Sequence, residues 1–444
     1  ATTLGCKVNQ AETDSMLDML KAAGANIVEF DEKADIYIVN TCSVTNIADK
    51  KSRQMLHRAR KMNPDGIVIA AGCYVQSARE ILEQDEAIDI VISNNKKKSI
   101  TEIVNDYINV RNNEKNAPGK DHEAMEYFVD ISRETEYEEM GGHVPVGHTR
   151  AYVKIQDGCN QFCSYCIIPY VRGRIRSRSQ EAILAEVSEL AEAGIKEVVL
   201  TGIHISSYGK DKNNEGALIE LIEAISKIKG IKRIRLGSLE PGIITEEFVE
   251  RISSNSKVCP HFHLSLQSGC DSVLKRMNRK YTCKQYFEKC DMLRKAYKSP
   301  ALTTDVIVGF PGETEEEFAE TVRYLTELNL YEMHIFKYSP RKGTVAAAMK
   351  EQVAPEIKNE RSDVLLKLAH DNKTAYEAQF EGCELEVLVE EVVKKDNKTY
   401  LRGHTERYMD ILIDVGDISM PESFVNSFVY VTYTQNGGNL PLLL

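Results

Sequence analysis

Cys159, Cys163 and Cys166 stand at C-x3-C-x2-C spacing in the run Cys159-Asn160-Gln161-Phe162-Cys163-Ser164-Tyr165-Cys166. A loop that returns three thiols to one point can hold a metal centre, and thiolates are the ligands of iron–sulfur clusters and soft metals. A four-iron cluster bound by three cysteines keeps one iron open to a small molecule. Structural zinc wants a fourth protein ligand nearby, and no Cys or His occurs in the next dozen residues. Cys6, Cys42 and Cys73 form a second set, each directly after a strand-like run: Thr2 to Gly5, Val39 to Thr41 and Ala70 to Gly72. In an open parallel sheet the strand C-termini face one crevice, so three such loops can gather three thiols. Glycines beside Cys6 and Cys73 let backbone approach a bulky group. The plainer reading of this second set is three buried structural cysteines.

The elements that must carry these loops follow from periodicity. To about Asn112 strands and helices alternate. Strands are expected at Ala1 to Leu4, Ile36 to Asn40, Ile67 to Ala71 and Ile88 to Ile92, and helices near Ala11 to Ala22, Ile47 to Met62, Ala78 to Gln84 and Ile100 to Val110. That pattern predicts an open parallel sheet with helices on both faces. Residues 113–147 are polar and acidic with Pro118-Gly119 and Gly141-Gly142, and read as a linker with one short strand, Tyr127 to Asp130. From 148 to 378 the alternation resumes with six strands, Ala151 to Gln156, Glu197 to Ile205, Arg233 to Leu239, Phe262 to Gln267, Thr303 to Gly309 and Met333 to Tyr338. Six right-handed βα units curl into a partial (β/α)6 barrel whose functional loops lie at the strand C-termini, where Cys159 to Cys166 falls. Residues 379–440 change to short alternating strands, a small all-β barrel of the oligonucleotide-binding style. Gly437-Gly438 and the apolar tail find no place in that reading. The fold class is α/β with an all-β C-terminal module.

The cysteine loop, with Tyr165 before its last cysteine, resembles the signature of the radical S-adenosylmethionine (SAM) enzymes. The motifs Leu4-Gly5-Cys6-Lys7-Val8-Asn9-Gln10, Asn40-Thr41-Cys42-Ser43-Val44-Thr45-Asn46 and Ala71-Gly72-Cys73 look like the amino-terminal domain of the methylthiotransferases. Asn40 to Gln54 is similar to the MtaB branch, which acts on N6-threonylcarbamoyladenosine at position 37 of tRNA. The resemblance covers essentially the whole chain. It implies two 4Fe–4S clusters, one on Cys159, Cys163 and Cys166 that cleaves SAM, and an auxiliary one on Cys6, Cys42 and Cys73 that delivers sulfur. It also implies an external electron donor of the flavodoxin or ferredoxin type, a sulfur donor, and a tRNA anticodon stem-loop as substrate. The C-terminal module resembles the TRAM tRNA-binding domain.

From the same resemblance, Tyr165, Gly202, Ser265, Gln267, Arg279 and Gly309 are the SAM-pocket candidates. Arg279 is expected to pair the methionine carboxylate, and Gly309 to admit the flat adenine ring. His261 and His263 alternate on one strand and read as barrel packing. Net charge is −11, so the surface as a whole does not attract nucleic acid. Local basic stretches must do so: Arg172, Arg174, Arg176 and Arg178 at alternate positions, the helix from Lys50 to Lys61, Arg341 at the last strand, and Arg402 among the aromatics of the β-module. An odd count of 11 cysteines without a leader-like segment or apolar span points to a reducing cytoplasm and no membrane, with a few residues expected upstream of Ala1. The rivals are a methylthiotransferase of another branch (isopentenyladenosine tRNA or a ribosomal-protein aspartate) and a zinc-bearing RNA-binding protein.

Overall fold

Apolar runs of Val and Ile bounded by Gly, Asn and Asp set the strands, and the computed structural model describes residues 1–114, 125–142, 149–396, 398–416, 420–435 and 437–439. The N-terminal unit places β1 (Thr2–Thr3), α1 (Lys7–Ala22), β2 (Ile36–Thr41), α2 (Asn46–Met62), β3 (Ile67–Gly72), α3 (Cys73–Ser77), α4 (Arg79–Glu83), β4 (Ile90–Ile92) and α5 (Ile100–Glu114) in chain order. Its sheet runs β1-β2-β3-β4-β5, every neighbouring pair parallel, and β5 is Met125–Tyr127. That last strand revises the linker reading. Residues just past the polar stretch pair with β4 and extend the sheet, and Ile131 and Glu138 beyond them are buried.

The central unit holds β6 (Arg150–Asp157), α6 (Ile168–Val171), β7 (Arg176–Ser177), α7 (Gln180–Glu192), β8 (Glu197–Gly202), α8 (Ala217–Ser226), β9 (Arg233–Leu236), α9 (Glu246–Ser253) and β10 (His261–His263). It continues through α10 (Asp271–Arg276), α11 (Cys283–Ala296), β11 (Ala301–Val308), α12 (Glu315–Leu328), β12 (Glu332–Lys337) and α13 (Pro355–Ala378). β6, β8 and β9 pair in parallel, as do β10, β11 and β12. Single bridges, Ile234 to Val258 and Leu239 to Leu264, join the two halves. The result is the expected six-stranded partial barrel, with strand three and strand four shorter than their apolar runs. Ala151, Val153, Leu302, Val306 and Met333 face the helices in one large core. The alternate residues, among them Tyr152, Lys154, Asp305 and His334, lie on the opposite face of the strands.

The C-terminal strands β13 (Glu384–Lys395), β14 (Lys398–Thr405), β15 (Asp410–Asp414), β16 (Phe428–Thr434) and β17 (Gly437–Asn439) close a barrel in the order β13-β14-β15-β17-β16. Gly437 and Gly438 therefore do have a place: Gly437 pairs with β16, Gly438 with both β15 and β16, and the strand closes the ring. The apolar tail, residues 440–444, lies outside the described residues.

Candidate iron–sulfur and substrate site

Each cysteine set is returned by a different unit, and the two meet. Cys6 is the N-cap of α1, Cys42 follows β2, and Cys73 opens α3 directly after β3. Buried amides and hydroxyls brace these loops. Asn9 Nδ2 donates to Leu4 O at 2.8 Å and to Thr41 O at 2.9 Å, and Asn40 Nδ2 donates to Asn9 O at 2.9 Å. Thr41 Oγ1 donates to the Ala71 carbonyl, and the Cys42 N–H donates to Ser52 Oγ at 3.3 Å. Cys6 is exposed, while Cys42 and Cys73 are buried. Cys73 packs against Ile167 and Val171, which follow Cys166 in the chain, so the two cysteine-bearing units touch there.

The Cys159 to Cys166 loop is held from the barrel. Gln156, fully buried, donates to Asp157 O at 2.6 Å and Gly158 O at 2.7 Å and accepts from His204 N at 2.7 Å. Ser164 N donates to Met277 O at 3.0 Å, Ser164 Oγ to Arg276 O at 2.8 Å, and Asn278 Nδ2 to Phe162 O at 2.9 Å. Phe162, Gln267 and Asn278 all adopt positive φ, at +49°, +76° and +62°. Such conformations in non-glycine residues concentrate where surrounding structure imposes them at functional sites.

Each set also has one arginine donating onto a sulfur. Arg172 Nε lies 3.2 Å from Cys73 Sγ, and Arg279 Nη1 lies 3.1 Å from Cys163 Sγ. Burial pushes the Cys159 thiol up to about 11 and Cys166 up to about 12, with the neighbouring Cys163 adding to both. Cys42 is likewise pushed up to about 11, by burial first, with Cys73 and Cys6 adding to the rise. Among the described residues the one trio of potential ligand atoms all within 4.8 Å of one another is His263, Asp305 and His334. Three cysteines with no fourth protein ligand in the same loop suit a cluster with an open iron better than a closed tetrahedral zinc site. His263 Nδ1 meets Thr303 Oγ1 at 3.0 Å, while its Nε2 lies 3.2 Å from Asp305 Oδ2 and is buried without a hydrogen bond.

Two glycines make the cluster loops sterically feasible. Gly158 has φ +72°, and a Cβ there would lie 1.8 Å from the Arg174 carbonyl oxygen. Gly5 has φ +101°, and its Cβ would lie 2.7 Å from Cys42 Sγ itself. Gly5→Ala is expected to displace that sulfur and remove the iron held by the N-terminal set, about half the total if both sets carry 4Fe–4S clusters. Iron and sulfide per chain after anaerobic reconstitution measure this, and a full complement would refute it.

Several expectations change at the level of side chains. Three of the four alternate arginines are interior. Arg172 is fully buried and bonds Glu12, Asp157 Oδ2 at 3.1 Å and Asn9. Arg176 donates to the carbonyls of Arg172 and Arg174, and Arg178 pairs with Glu139 and Glu186. α6 and the turn at Gly173 break the extended geometry that a one-sided ladder requires. Arg174 alone stays exposed, its guanidinium 4.5 Å from the Phe162 ring centroid, with Tyr170 edge-on to that ring. Arg341 is buried rather than presented to a base, and it bonds Asn46 at 2.7 Å, Ser43 at 2.8 Å and Asp49 at 2.7 Å across to the N-terminal unit. Arg279 is committed to Glu240 at 2.8 and 2.9 Å and to Tyr281 at 2.9 Å, so it braces the cluster loop instead of standing free for a carboxylate. Gly309 is approached by Lys358, whose Cγ lies 2.3 Å from where a Cβ would be. Gly202 is approached by the Gln156 carbonyl at 2.9 Å on the same measure. Tyr165 packs with Met277, Phe310 and Tyr338 under the loop, and Ser265 offers its carbonyl to Arg279 and Tyr281.

The basic surface that remains is mainly α2. Lys50, Lys51, Arg53 and Lys61 are exposed and have no ion-pair partner among the described residues, while His57, Arg58 and Arg60 pair with Asp85, Asp31 and Asp89. In the β-module Arg402 is half-exposed and paired with Asp410. Arg407 and Tyr408 turn towards the central barrel: Arg407 donates to Ser299 O at 2.9 Å, and Tyr408 lies beneath Arg150 and Arg235.

With this geometry in hand, comparison with known proteins is specific. Residues 1–93 match an uncharacterized protein family, UPF0004, and residues 153–325 match the radical SAM superfamily. The chain is 39% identical over 411 residues to the threonylcarbamoyladenosine tRNA methylthiotransferase MtaB of Bacillus subtilis, covering 92% of this chain and 89% of that protein. It is 37% identical to the protein of that name from Aquifex aeolicus, covering 92% and 97%. It is 35% identical to the tRNA-2-methylthio-N6-dimethylallyladenosine synthase of Thermoanaerobacter pseudethanolicus, covering 98% and 90%. Among solved structures the fold is similar to that of the radical SAM methyltransferase TsrM from Kitasatospora setae, with a TM-score of 0.55 at 16% identity, over 73% of this chain and 70% of that one.

Proposed function

This chain belongs to the radical SAM tRNA methylthiotransferases, and from that membership we propose that it converts N6-threonylcarbamoyladenosine of tRNA to its 2-methylthio derivative. The observation that carries the reading is the pair of cysteine sets on two units that touch where Cys73 packs on Ile167 and Val171. Cys159, Cys163 and Cys166 hold one 4Fe–4S cluster and Cys6, Cys42 and Cys73 the other. When bound, the clusters and SAM supply the radical that activates adenine C2 and the sulfur and methyl group placed there.

The rest is the work of this chain's own side chains. Arg279 and Arg172 donate hydrogen bonds to the Cys163 and Cys73 sulfurs, a contact that tunes cluster potential. Lys50, Lys51, Arg53 and Lys61 on α2 offer phosphate contacts. Arg174, with Phe162 and Tyr170, offers a face on which an unstacked base lies against aromatic rings beside the cluster loop. The target adenosine must leave its stack to reach the crevice. We assign residues 1–112 to the auxiliary-cluster domain, 148–378 to the radical SAM domain and 379–440 to the tRNA-binding module. The enzyme acts in the cytoplasm with an external electron donor and sulfur donor. Among the described residues no helix is long and apolar enough to cross a membrane.

Nucleoside analysis of tRNA from a deletion strain tests the assignment. Loss of 2-methylthio-N6-threonylcarbamoyladenosine, restored by the gene, is expected. Unchanged levels overturn it, and loss of the dimethylallyl product instead moves the chain to the sister branch.

A further inference from the structure

The residue after Cys6 carries a cation that forms no ion pair at contact distance among the described residues, although the charge of Glu197 reaches it. Lys7 begins α1, and its ammonium lies 5.6 Å from the Tyr152 ring centroid and 5.8 Å from that of Tyr408. It has no hydrogen-bond acceptor or ion-pair partner among the described residues. Arg150, at the start of β6, reaches the same Tyr408 ring at 5.0 Å. Its Nη2 donates to Glu390 at 2.9 Å, but its Nη1 is buried without a partner. A buried guanidinium N–H left unsatisfied is costly, and native structures rarely keep one without an acceptor to meet it.

Cys6, Lys7, Arg150 and Tyr152 line one cavity of about 690 Å³, bounded by α1, the segment around Glu138 and the β-module. Its size is that of a small-molecule site. The cavity wall also carries acids, and each has a partner of its own, Glu390 sharing Arg150 through Nη2 alone. Glu12 is held by Lys97, Lys154 and Arg172, Glu139 and Glu186 by Arg178, and Glu390 by Arg150 and His404. Glu138 accepts from Lys98 N, Glu391 faces Arg402, and Asp14 accepts from Gln10. Two cationic donors thus face the cavity beside the cysteine of the auxiliary set while its acids are taken.

We propose that Lys7 and Arg150 form a carboxylate clamp that binds the threonine carboxylate of the substrate nucleoside. The inference rests on the functional reading above, because that substrate carries an anion on its N6 arm and the dimethylallyl substrate does not. Tyr152 lines the cavity, and the Tyr408 ring lies against both cations, apolar surface that strengthens such a charged contact by excluding water. The same cations would also take a tRNA phosphate or the methionine carboxylate of SAM, so the test separates these sources.

Turnover is measured on two anticodon stem-loops, one with threonylcarbamoyladenosine and one with its carboxylate converted to the carboxamide. Enzymes of matched iron content are compared. The wild type is expected to prefer the carboxylate about 10- to 100-fold in kcat/KM, the worth of a charged hydrogen bond. Lys7→Gln is expected to collapse that preference through the carboxylate substrate alone, and Lys7→Arg to retain it. Equal loss on both substrates, or a rise confined to the KM for SAM, points to phosphate or methionine and overturns the clamp. A wild type that modifies the stem-loop with no preference, or a Lys7→Gln enzyme that keeps the preference, overturns it as well. If the wild type modifies only a dimethylallyladenosine stem-loop, the functional reading itself fails, and the clamp with it.

Discussion

Replacing Cys6, Cys42 and Cys73 together by alanine is expected to abolish methylthio transfer while reductive cleavage of SAM persists, whereas replacing Cys159, Cys163 and Cys166 abolishes both. The asymmetry follows from how the two loops are built. The Cys159 to Cys166 loop itself is braced from the barrel, by Gln156, Met277, Arg276, Asn278 and Arg279. None of those contacts passes through the N-terminal sheet, so losing its sulfurs leaves the SAM-cleaving loop in place. The N-terminal set depends on Asn9, Asn40, Thr41 and Ser52, which the alanine substitutions also leave intact. Each variant is expected to keep about half the iron of the wild type, one of two 4Fe–4S clusters. Iron content, 5′-deoxyadenosine yield under reduction and the modified nucleoside are read on the same preparations. A folded N-terminal variant that no longer cleaves SAM would show that the two sets act as one centre.

How much of this was legible depended on the range of the interaction. The cysteines were readable because cluster ligation demands one residue type at fixed spacing or at equivalent strand ends. The strands and helices were readable because burial imposes a period of two or 3.6. The charges were not. Arg172 looks in sequence like one rung of an exposed ladder, yet its partner Glu12 lies 160 positions away. Arg341 is buried by Ser43, 298 positions away. Nothing local announces either pairing, and neither Glu12 nor Gln156 stands out by type or neighbour. Gly309 shows the same limit in steric form: the group that fills its space, Lys358, comes from a helix that starts well beyond the strand. Where a residue's environment is set by a contact across domains, alternation in the sequence describes only the chain's own geometry.

Arg172→Ala is expected to destabilise the joint between the N-terminal unit and the barrel by about 3–5 kcal/mol, the cost of stripping one partner from a buried ion-pair network. Arg172 is fully buried between Glu12, Asp157, Asn9 and the Cys73 sulfur. Removing it leaves Glu12 to Lys97 and Lys154 alone, and Asp157 to Lys154 and the more distant Arg176 at 3.8 Å. Burial opposes the charge on both carboxyls. Nearby cations outweigh it, Arg172 first for Glu12 and Lys154 first for Asp157, and hold both carboxyls well below the usual carboxylate range. A carboxylate depressed on folding stabilises above its unfolded pKa, near about 4, and that contribution is lost as pH falls through the folded value. The gap between wild type and variant is therefore widest at neutral pH and narrows in acid. Denaturant unfolding of the two proteins at several pH values measures it. The same substitution removes the donor on Cys73, so the auxiliary cluster's reduction potential shifts in whatever variant protein folds. The ammonium introduced by Arg172→Lys cannot reproduce a fork that reaches four groups at once. That variant is expected to recover part of the stability and little of the potential. An alanine variant with wild-type unfolding at neutral pH would mean that Arg172 is a passenger in the joint rather than its pin.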